Sequence, residues 1–251
     1  MSVRYTILDP TGNITALAET ERDAALAARL MAAEPTVEQV GFVRFPKPGE
    51  AELEMAGGEF CGNATLSTGV LGCLRWGIPE ITVRASGAAR PLAVAATRLN
   101  EAEFDVSGEL PLPERIAMER LPSPDGEITL PVVRFPGIAH AIVTEKLPRS
   151  EAERLVKHWC KTLRVDGMGV LQWDETTGRM TPLVYVPSAG TLFWESSCAS
   201  GTAAIGAWTA QRDGRAVTLA IRQPGGTLEI TSDGQSLRLH ETIRIVKNAE
   251  I

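Results

Sequence analysis

The sequence predicts a duplicated domain of mixed helix and strand structure, and three observations lead to that prediction. The chain has 251 residues, a length that suits one large domain or two of ordinary size. Strand-like and helix-like segments follow the same order in the first half and in the second half. Each half also contains a motif in which a cysteine precedes a run of small residues. A duplication explains the repeated order and the repeated motif together.

The first half is predicted to contain strands around one early helix. Thr20 and Asp23 have the spacing of a capping box, and Pro35 ends the Ala- and Leu-rich pattern that follows them, so a helix is predicted over residues 20–33. Alternating or apolar runs predict strands at residues 4–8, 40–45 and 51–55.

The second half repeats this order. Ser150 and Glu153 form a capping box that predicts a helix over residues 150–163. Apolar runs predict strands at residues 132–135, 141–144, 168–173 and 181–186. Between the halves, residues 108–126 contain four prolines, and this density predicts a linker.

The most specific repeat is the cysteine motif, which occupies residues 59–69 and 196–206. Aligned on Cys61 and Cys198, both copies have small or polar residues at the next two positions, a threonine at +4 and a glycine at +8. The positions 0, +4 and +8 lie on one face of a helix. Each copy therefore predicts a helix whose first turn carries a cysteine.

A cysteine at a helix start is suited to acid–base chemistry. An ordinary thiol has a pKa near ~8.5, and the unpaired N–H groups of a helix N-terminus favour the thiolate. If two such thiols face opposite sides of a substrate, one removes a proton from the carbon beside a carboxylate and the other returns a proton to the opposite face. That reaction inverts a stereocentre without a cofactor. The N–H groups predicted to hold the carboxylate follow the two cysteines, at Gly62, Asn63, Ala199, Ser200 and Gly201.

The alternative interpretation treats the cysteines as small buried hydrophobic residues. For Cys61 and Cys198 the polar and glycine neighbours favour the catalytic interpretation, whereas for Cys73 and Cys160 we expect buried structural residues. No cysteine pair has the spacing of a zinc site or a redox motif, so no metal is expected.

Composition limits the partners. The chain has 25 Lys plus Arg against 31 Asp plus Glu, a net charge of −6, which does not favour nucleic acid or an anionic membrane. There is no apolar run near the ~20 residues that span a bilayer, no signal-peptide start and no glycine-rich nucleotide loop. The expected location is the cytoplasm, and the expected ligand is a small molecule.

Several motifs resemble one family. The matching segments are Cys61-Gly62-Asn63-Ala64, Cys198-Ala199-Ser200-Gly201, Gly12-Asn13 and residues 137–143. In their order along the chain, which is Gly12-Asn13, the Cys61 motif, residues 137–143 and the Cys198 motif, they resemble the diaminopimelate-epimerase-like superfamily of pyridoxal-phosphate-independent amino-acid racemases and epimerases. The double-cysteine pattern is the specific part of the resemblance.

The resemblance implies an α+β fold of two pseudo-symmetric halves, each a β-barrel or sheet around a central helix, with the active site in the cleft between them. It divides the chain into residues 1–115, joined by a returning strand at about 243–251, and residues 125–242. It also implies a homodimer, no cofactor, and a substrate contact by Asn13.

The departures from the family concern the substrate. Diaminopimelate epimerases carry a Glu-Arg pair upstream of the second cysteine, and Val186-Pro187 stands at that place here. Without the arginine a distal carboxylate would be buried unpaired, so a substrate with a single carboxylate is expected. The segment from Trp194 to Thr202 resembles the histidine racemases of opine metallophore biosynthesis, and histidine is the first candidate. Glu195 could receive the substrate's amine or imidazole, or could simply complement the helix dipole.

Other interpretations stay open on the residues alone. Phe193 and Trp194 could stack on a substrate ring or be core aromatics, and Glu59 has the same two interpretations as Glu195. His140 is expected to be a structural histidine. The alternative functions are a diaminopimelate epimerase, a proline- or hydroxyproline-type racemase, and an inactive small-molecule binding protein of the same fold.

Overall fold

A computed structural model describes residues 2–251 and divides the chain into two compact units. Unit 1 contains the described residues up to Pro111 together with Arg238–Ile251, and unit 2 is Leu112–Leu237. The described residues form four α-helices and sixteen strands, an α+β composition. No helix within residues 2–251 is long and apolar enough to cross a membrane.

The four helices are interspersed among the strands along the described residues. The first nine are β1 Arg4–Pro10, β2 Thr15–Ala18, α1 Ala24–Ala33, β3 Gln39–Lys47, β4 Glu50–Met55, α2 Gly62–Trp76, β5 Glu80–Ala85, β6 Leu92–Arg98 and β7 Glu103–Glu109. They are followed by β8 Arg115–Ser123, β9 Gly126–Phe135, β10 Ile138–Val143, α3 Arg149–Leu163, β11 Gly167–Asp174, β12 Arg179–Val186, β13 Thr191–Trp194, α4 Ala199–Asp213, β14 Val217–Gln223, β15 Gly226–Ser232 and β16 Leu237–Glu250.

The strands of unit 1 form a closed barrel of eight strands. Neighbouring strands follow the order β1 to β7 and then β16, and β16 pairs with β1 to complete the circle. Helix α2 contacts β1 through β7 and has eleven buried residues out of fifteen, so it is the central helix of this barrel. The barrel therefore encloses the helix that begins beside Cys61.

Glycine lets α2 pack this closely. A Cβ added at Gly69 would lie 2.2 Å from Cγ1 and 2.6 Å from Cβ of Val94 on β6, closer than real Cβ atoms come. Gly206 on α4 has the corresponding position in the motif, and a Cβ there would lie 2.8 Å from Cγ1 of Ile230 on β15. The glycine at +8 of each motif thus brings its helix against the strands.

Unit 2 has the strand order β8-β9-β10-β11-β12-β14-β15, with β13 also paired to β12. Helix α4 contacts β9, β10, β14 and β15, and helix α3 contacts β8, β11 and β12. The side chains of α3 and the strands beside it, including the fully buried Trp159, form a hydrophobic core cluster. Eleven of the fifteen residues of α4 are buried, which makes α4 the more enclosed helix of this unit.

Three local predictions from the sequence are wrong. Helix α1 begins at Ala24, because the carboxylate of Asp23 accepts hydrogen bonds from the N–H groups of Ala25 and Leu26 and so outcompetes the predicted Thr20 cap. Helix α3 begins at Arg149 without a side-chain cap, so Ser150 lies inside it.

The third error concerns the predicted linker at residues 108–126. The boundary between the two units, at Pro111 and Leu112, lies in this segment, but nine of its nineteen residues form strand β8, which pairs with β9 along its length. In the strand order of unit 2, β8 has only one neighbour, and a proline such as Pro122 is compatible with an edge strand. A high proline content therefore indicated an edge strand rather than a flexible connection.

Candidate active site

Cys61 is the N-cap residue of α2. Its Sγ accepts a hydrogen bond from the N–H of Ala64 at 3.4 Å, and its thiol donates to Oε1 of Gln39 at 3.1 Å. The hydroxyl of Thr65 donates to the Cys61 carbonyl at 2.7 Å. The threonine at +4 thus closes the first turn of the helix on the cysteine that begins it.

Cys198 has the same position at the start of α4. Its Sγ accepts from the N–H of Gly201 at 3.4 Å, and the Thr202 hydroxyl donates to the Cys198 carbonyl at 2.8 Å. Gln223 adds a second support, because its Oε1 accepts from the Cys198 N–H at 2.8 Å and its Nε2 donates to Thr202 Oγ1 at 2.9 Å. Both cysteines are therefore fixed by the same capping geometry.

The first-turn residues after each cysteine present backbone N–H groups at a helix N-terminus. Gly62 and Asn63 follow Cys61, and Ala199, Ser200 and Gly201 follow Cys198. The first N–H groups of a helix carry its partial positive charge, and that of Gly201 also donates to the Cys198 sulfur. Each helix start is chemically suited to hold a carboxylate.

Asn13 joins the Cys61 site through a residue that the sequence did not single out. Asn13 is buried, and its Nδ2 donates to Oε2 of Glu38 at 3.0 Å. Gln39, at the start of β3, donates from Nε2 to Oδ1 of Asn13 and to Oγ1 of Thr15, while its Oε1 accepts from the Cys61 thiol. Gln39 therefore links the predicted substrate contact to the first cysteine. The sequence showed Gln39 only as a polar residue directly before the predicted strand at residues 40–45, and polar residues are common at that place.

The surroundings of Cys198 favour its protonated form. Burial raises the pKa of this thiol well above its usual value, and the nearby Glu195 raises it further through its charge and a hydrogen bond. Hydrogen bonds from Ser200 and Gly201 act in the opposite direction. The structure thus brings Glu195, Ser200 and Gly201 together around Cys198.

His140 also lies at this site, although the sequence suggested a structural histidine. It is fully buried on β10, and its Nε2 lies 2.9 Å from Oγ of Ser200. Burial lowers the pKa of His140 to about 3, so the ring is neutral at physiological pH. His140 lies in the family-like segment of residues 137–143 that the sequence marked. Its contact with Ser200 could not be read from the sequence, because it depends on how β10 packs against α4.

Trp194, Cys73 and Cys160 make contacts that are typical of packing residues. The Trp194 indole N–H donates to Glu153 on α3 at 2.8 Å, and the Arg149 guanidinium lies 5.1 Å from its ring centroid. These contacts favour the interpretation of Trp194 as a packing residue. Cys73 and Cys160 are buried, and burial raises the pKa of both thiols.

Residues 2–251 contain no group of three or more histidine, cysteine or carboxylate side chains arranged to hold a metal ion.

Comparison with known proteins identifies relatives along nearly the whole chain. The family model described as the histidine racemase CntK N-terminal domain matches residues 2–251. The histidine racemase of Staphylococcus aureus is 27% identical over 247 residues, which cover 92% of this chain and 88% of that protein. The histidine racemase of Fusobacterium nucleatum is 28% identical, covering 97% of this chain and 95% of that protein.

Solved structures share the fold at low sequence identity. A protein of Pseudomonas aeruginosa described as a predicted epimerase superposes with a TM-score of 0.69 at 14% identity, over 99% of both chains. A hydroxyproline epimerase of Agrobacterium vitis gives a TM-score of 0.66 at 13% identity, over 100% of this chain and 92% of that one. The family model and the two histidine racemases confirm the resemblance to amino-acid racemases, and the solved structures show that the fold is shared. The chain belongs to the histidine racemase family represented by that family model, and it is an isomerase of the amino-acid racemase class.

Proposed function

We propose that this racemase acts on histidine, without a cofactor, and uses Cys61 and Cys198 as its two acid–base groups. The observation that carries the proposal is the duplicated helix start. Each unit has a cysteine at the N-cap, held by the N–H at +3 and by the threonine at +4. A two-base inversion requires two proton-transfer groups, one for each face of the α-carbon.

The proposed reaction transfers one proton on each side of the α-carbon. The thiolate on one face takes the α-proton, so a C–H bond breaks and an S–H bond forms. The electron pair is delocalised into the substrate carboxylate. The thiol on the other face then gives its proton to the α-carbon, and the product has the opposite configuration. The two cysteines have exchanged protonation states, and proton exchange with solvent restores them.

The negative charge that develops on the carboxylate needs donors that are already in place. We assign this role to the N–H groups at the helix starts, those of Gly62 and Asn63 on α2 and those of Ala199, Ser200 and Gly201 on α4. Asn13 and Glu195 are the proposed contacts for the rest of the amino acid. The link from Asn13 through Gln39 to Cys61, and the closeness of Glu195 to Cys198, support these two assignments.

Two observations support histidine as the substrate. The relatives that cover most of the chain are named histidine racemases. In addition, strand β12 ends at Val186 and continues into a short 3-10 turn that begins at Pro187, so this place upstream of the second cysteine offers no arginine to a second carboxylate.

The arrangement of the two halves, the oligomeric state and the cellular role are part of the same proposal. We propose two pseudo-symmetric halves, residues 1–115 with the strand at about 243–251 and residues 125–242, in a homodimer that works in the cytoplasm and supplies D-histidine for metallophore biosynthesis. The shared capping motif of α2 and α4 supports the two-fold relation between the halves.

The proposal is tested by a substrate screen. The purified protein, free of pyridoxal phosphate and in the presence of a chelator, is incubated with each of the twenty amino acids and with diaminopimelate. Chiral chromatography then measures the mirror image, and mass spectrometry in heavy water measures deuterium at the α-carbon. We expect D-histidine to form fastest and to carry solvent deuterium. Faster turnover of diaminopimelate or proline would overturn the substrate assignment, and no exchange with any amino acid would indicate a binding protein.

A further inference from the structure

Ser200 lies between His140 and the second cysteine. It is the second residue of α4, and its Oγ is 2.9 Å from Nε2 of His140 and 3.5 Å from Sγ of Cys198. All three side chains are buried. The hydroxyl can therefore accept a hydrogen bond on one side and donate one on the other, which makes a continuous chain from imidazole to thiol.

The fold makes room for this histidine. His140 on β10 is directly opposite Gly169 on β11, and a Cβ at Gly169 would lie 2.1 Å from Nδ1 of His140. Any larger residue at position 169 would displace the ring. The imidazole is thus fixed by the strand pairing rather than by a second hydrogen bond, since Nδ1 has no hydrogen-bond partner within the described residues.

Because Nδ1 has no partner among the described residues, the direction of the hydrogen bonds from His140 through Ser200 to Cys198 can be assigned. A neutral imidazole carries one proton, either on Nδ1 or on Nε2. A proton on Nδ1 would leave a buried N–H donor unsatisfied, which is rarer in proteins than an unsatisfied acceptor. The proton on Nε2 is instead used in the hydrogen bond to Ser200. With its oxygen accepting from His140, the Ser200 hydroxyl is free to donate to the sulfur.

We propose that His140 is a positioning residue for Cys198, which orients the Ser200 hydroxyl so that its proton points at the Cys198 sulfur and stabilises the thiolate. This inference deepens the proposed function, on which it rests for the role of Cys198. A reversible racemase requires each cysteine to be a thiolate for one enantiomer and a thiol for the other, and this hydrogen-bond arrangement makes the thiolate of Cys198 accessible. Burial and Glu195 favour the thiol, and the chain from His140 through Ser200 opposes them.

His140 does not exchange protons with the substrate in this scheme. Because burial lowers its pKa to about 3, the ring stays neutral across the range in which the enzyme is assayed. The charged group that acts on Cys198 is Glu195. The contribution of His140 is the direction of a hydrogen bond, so an amide that donates from the same place should replace it.

The experiment measures the pKa of Cys198 directly, by the ultraviolet absorbance of its thiolate as pH is raised. The background is the full chain with Cys61→Ser, Cys73→Ser and Cys160→Ser, and the same chain with Cys198→Ser is the blank. Into this background we place His140→Leu, His140→Gln, Ser200→Ala and the double variant His140→Leu with Ser200→Ala. Thermal unfolding of each variant is followed in parallel.

We expect His140→Leu to raise the pKa of Cys198 by about one pH unit, the size of one neutral hydrogen bond. His140→Gln should stay near the parent, because its amide can donate to Ser200. Ser200→Ala should raise the pKa at least as much as His140→Leu, and the double variant should add nothing to Ser200→Ala, because the two residues act in series.

Three results would overturn the proposal. One is a His140→Leu protein that melts earlier but keeps the parental pKa of Cys198, which would show a packing role. The others are additive effects in the double variant and equal effects of His140→Leu and His140→Gln. If His140→Leu does not fold, Ser200→Ala decides the matter, and an unchanged pKa in that variant overturns the proposal. Since no substrate is used, failure here is separate from failure to racemise histidine.

Discussion

At the scale of single residues, two cysteines in the same capping position have different neighbours. The Cys61 thiol donates to the amide oxygen of Gln39, whereas Cys198 is buried beside a carboxylate and a hydroxyl. Repeating the motif therefore repeats the geometry but not the electrostatics. The surroundings of Cys198 favour its protonated form, and the hydrogen bond from Ser200 opposes them.

A second residue of interest is a buried carboxyl outside the cysteine sites. Glu241 on β16 is 2% exposed, and one of its oxygens accepts from the Thr11 hydroxyl at 3.0 Å, while the other has no hydrogen-bond partner among residues 2–251. Burial raises the pKa of Glu241 to about 8, the Thr11 hydrogen bond opposes this rise, and the charge of Asp9 adds to it. Because the pKa is higher in the folded chain than in the unfolded chain, this group favours folding below about pH 4 and loses that contribution as pH rises towards 8.

Replacing Glu241 should therefore stabilise unit 1 in a pH-dependent way. Near pH 5 the carboxyl is already neutral, and we expect Glu241→Gln to have little effect on the melting temperature. At about pH 9 the wild type must keep a buried charge or unfold, and the variant should be more stable by a few kcal/mol, or several degrees. Glu109→Gln is the matched control, because hydrogen bonding to Arg90 lowers the pKa of Glu109. An equal gain at both pH values would contradict the assignment.

At the scale of elements, the position of α2 within its barrel depends on glycine. The Gly69 backbone is so close to Val94 that a methyl group would meet the branched Cβ of that valine, which cannot move without its strand. Gly72, one turn later, differs because a methyl group there would meet chiefly the terminal Cδ1 of Ile81. The end of an isoleucine can rotate away, whereas a β-branched carbon cannot.

These two glycines give a matched pair for measuring close packing. Gly69→Ala should lower the free energy of unfolding by about 1–3 kcal/mol, because the added methyl overpacks the barrel. Gly72→Ala should cost clearly less, because alanine favours the helix by about 1 kcal/mol and the neighbouring side chain can adjust. Chemical denaturation of the two variants is the measurement. Equal losses would mean that α2 can shift within its barrel and that Gly69 does not fix it.

The starts of the four helices show what sequence patterns can and cannot predict. Both cysteine helices were predicted, because the cysteine, the small residues and the threonine lie close together in each motif. The cysteine was expected within the first turn, and the structure places it one residue earlier, as the N-cap. The capping boxes at Thr20 and Ser150 failed, because Asp23 supplied a stronger cap and α3 begins after Pro148 without any side-chain cap. Local signals are reliable where several agree and fail where one stands alone.

At the scale of the whole molecule, the long-range contacts were beyond the sequence. Gln39 reaches Cys61 across 22 residues and His140 reaches Ser200 across 60, and neither pair is marked by a pattern of spacing. The fold brings these residues together through strand pairing, which depends on the packing of each unit. Sequence patterns identified the residues to which we assign the chemistry, and the structure added the contacts that Gln39 and His140 make with them.

The two-thiol mechanism requires both Cys61 and Cys198 to take part in inverting the α-carbon. The most direct measurement is the rate of D-histidine formation from L-histidine by Cys61→Ser and Cys198→Ser, with Cys73→Ser and Cys160→Ser as controls and circular dichroism as the check on folding. A serine hydroxyl is too weak an acid to replace a thiol at neutral pH, so each of the first two variants should lose at least about a hundredfold in rate. The two control variants should retain activity and lose at most some stability. Full racemisation by a folded Cys61→Ser or Cys198→Ser protein would contradict the two-thiol mechanism.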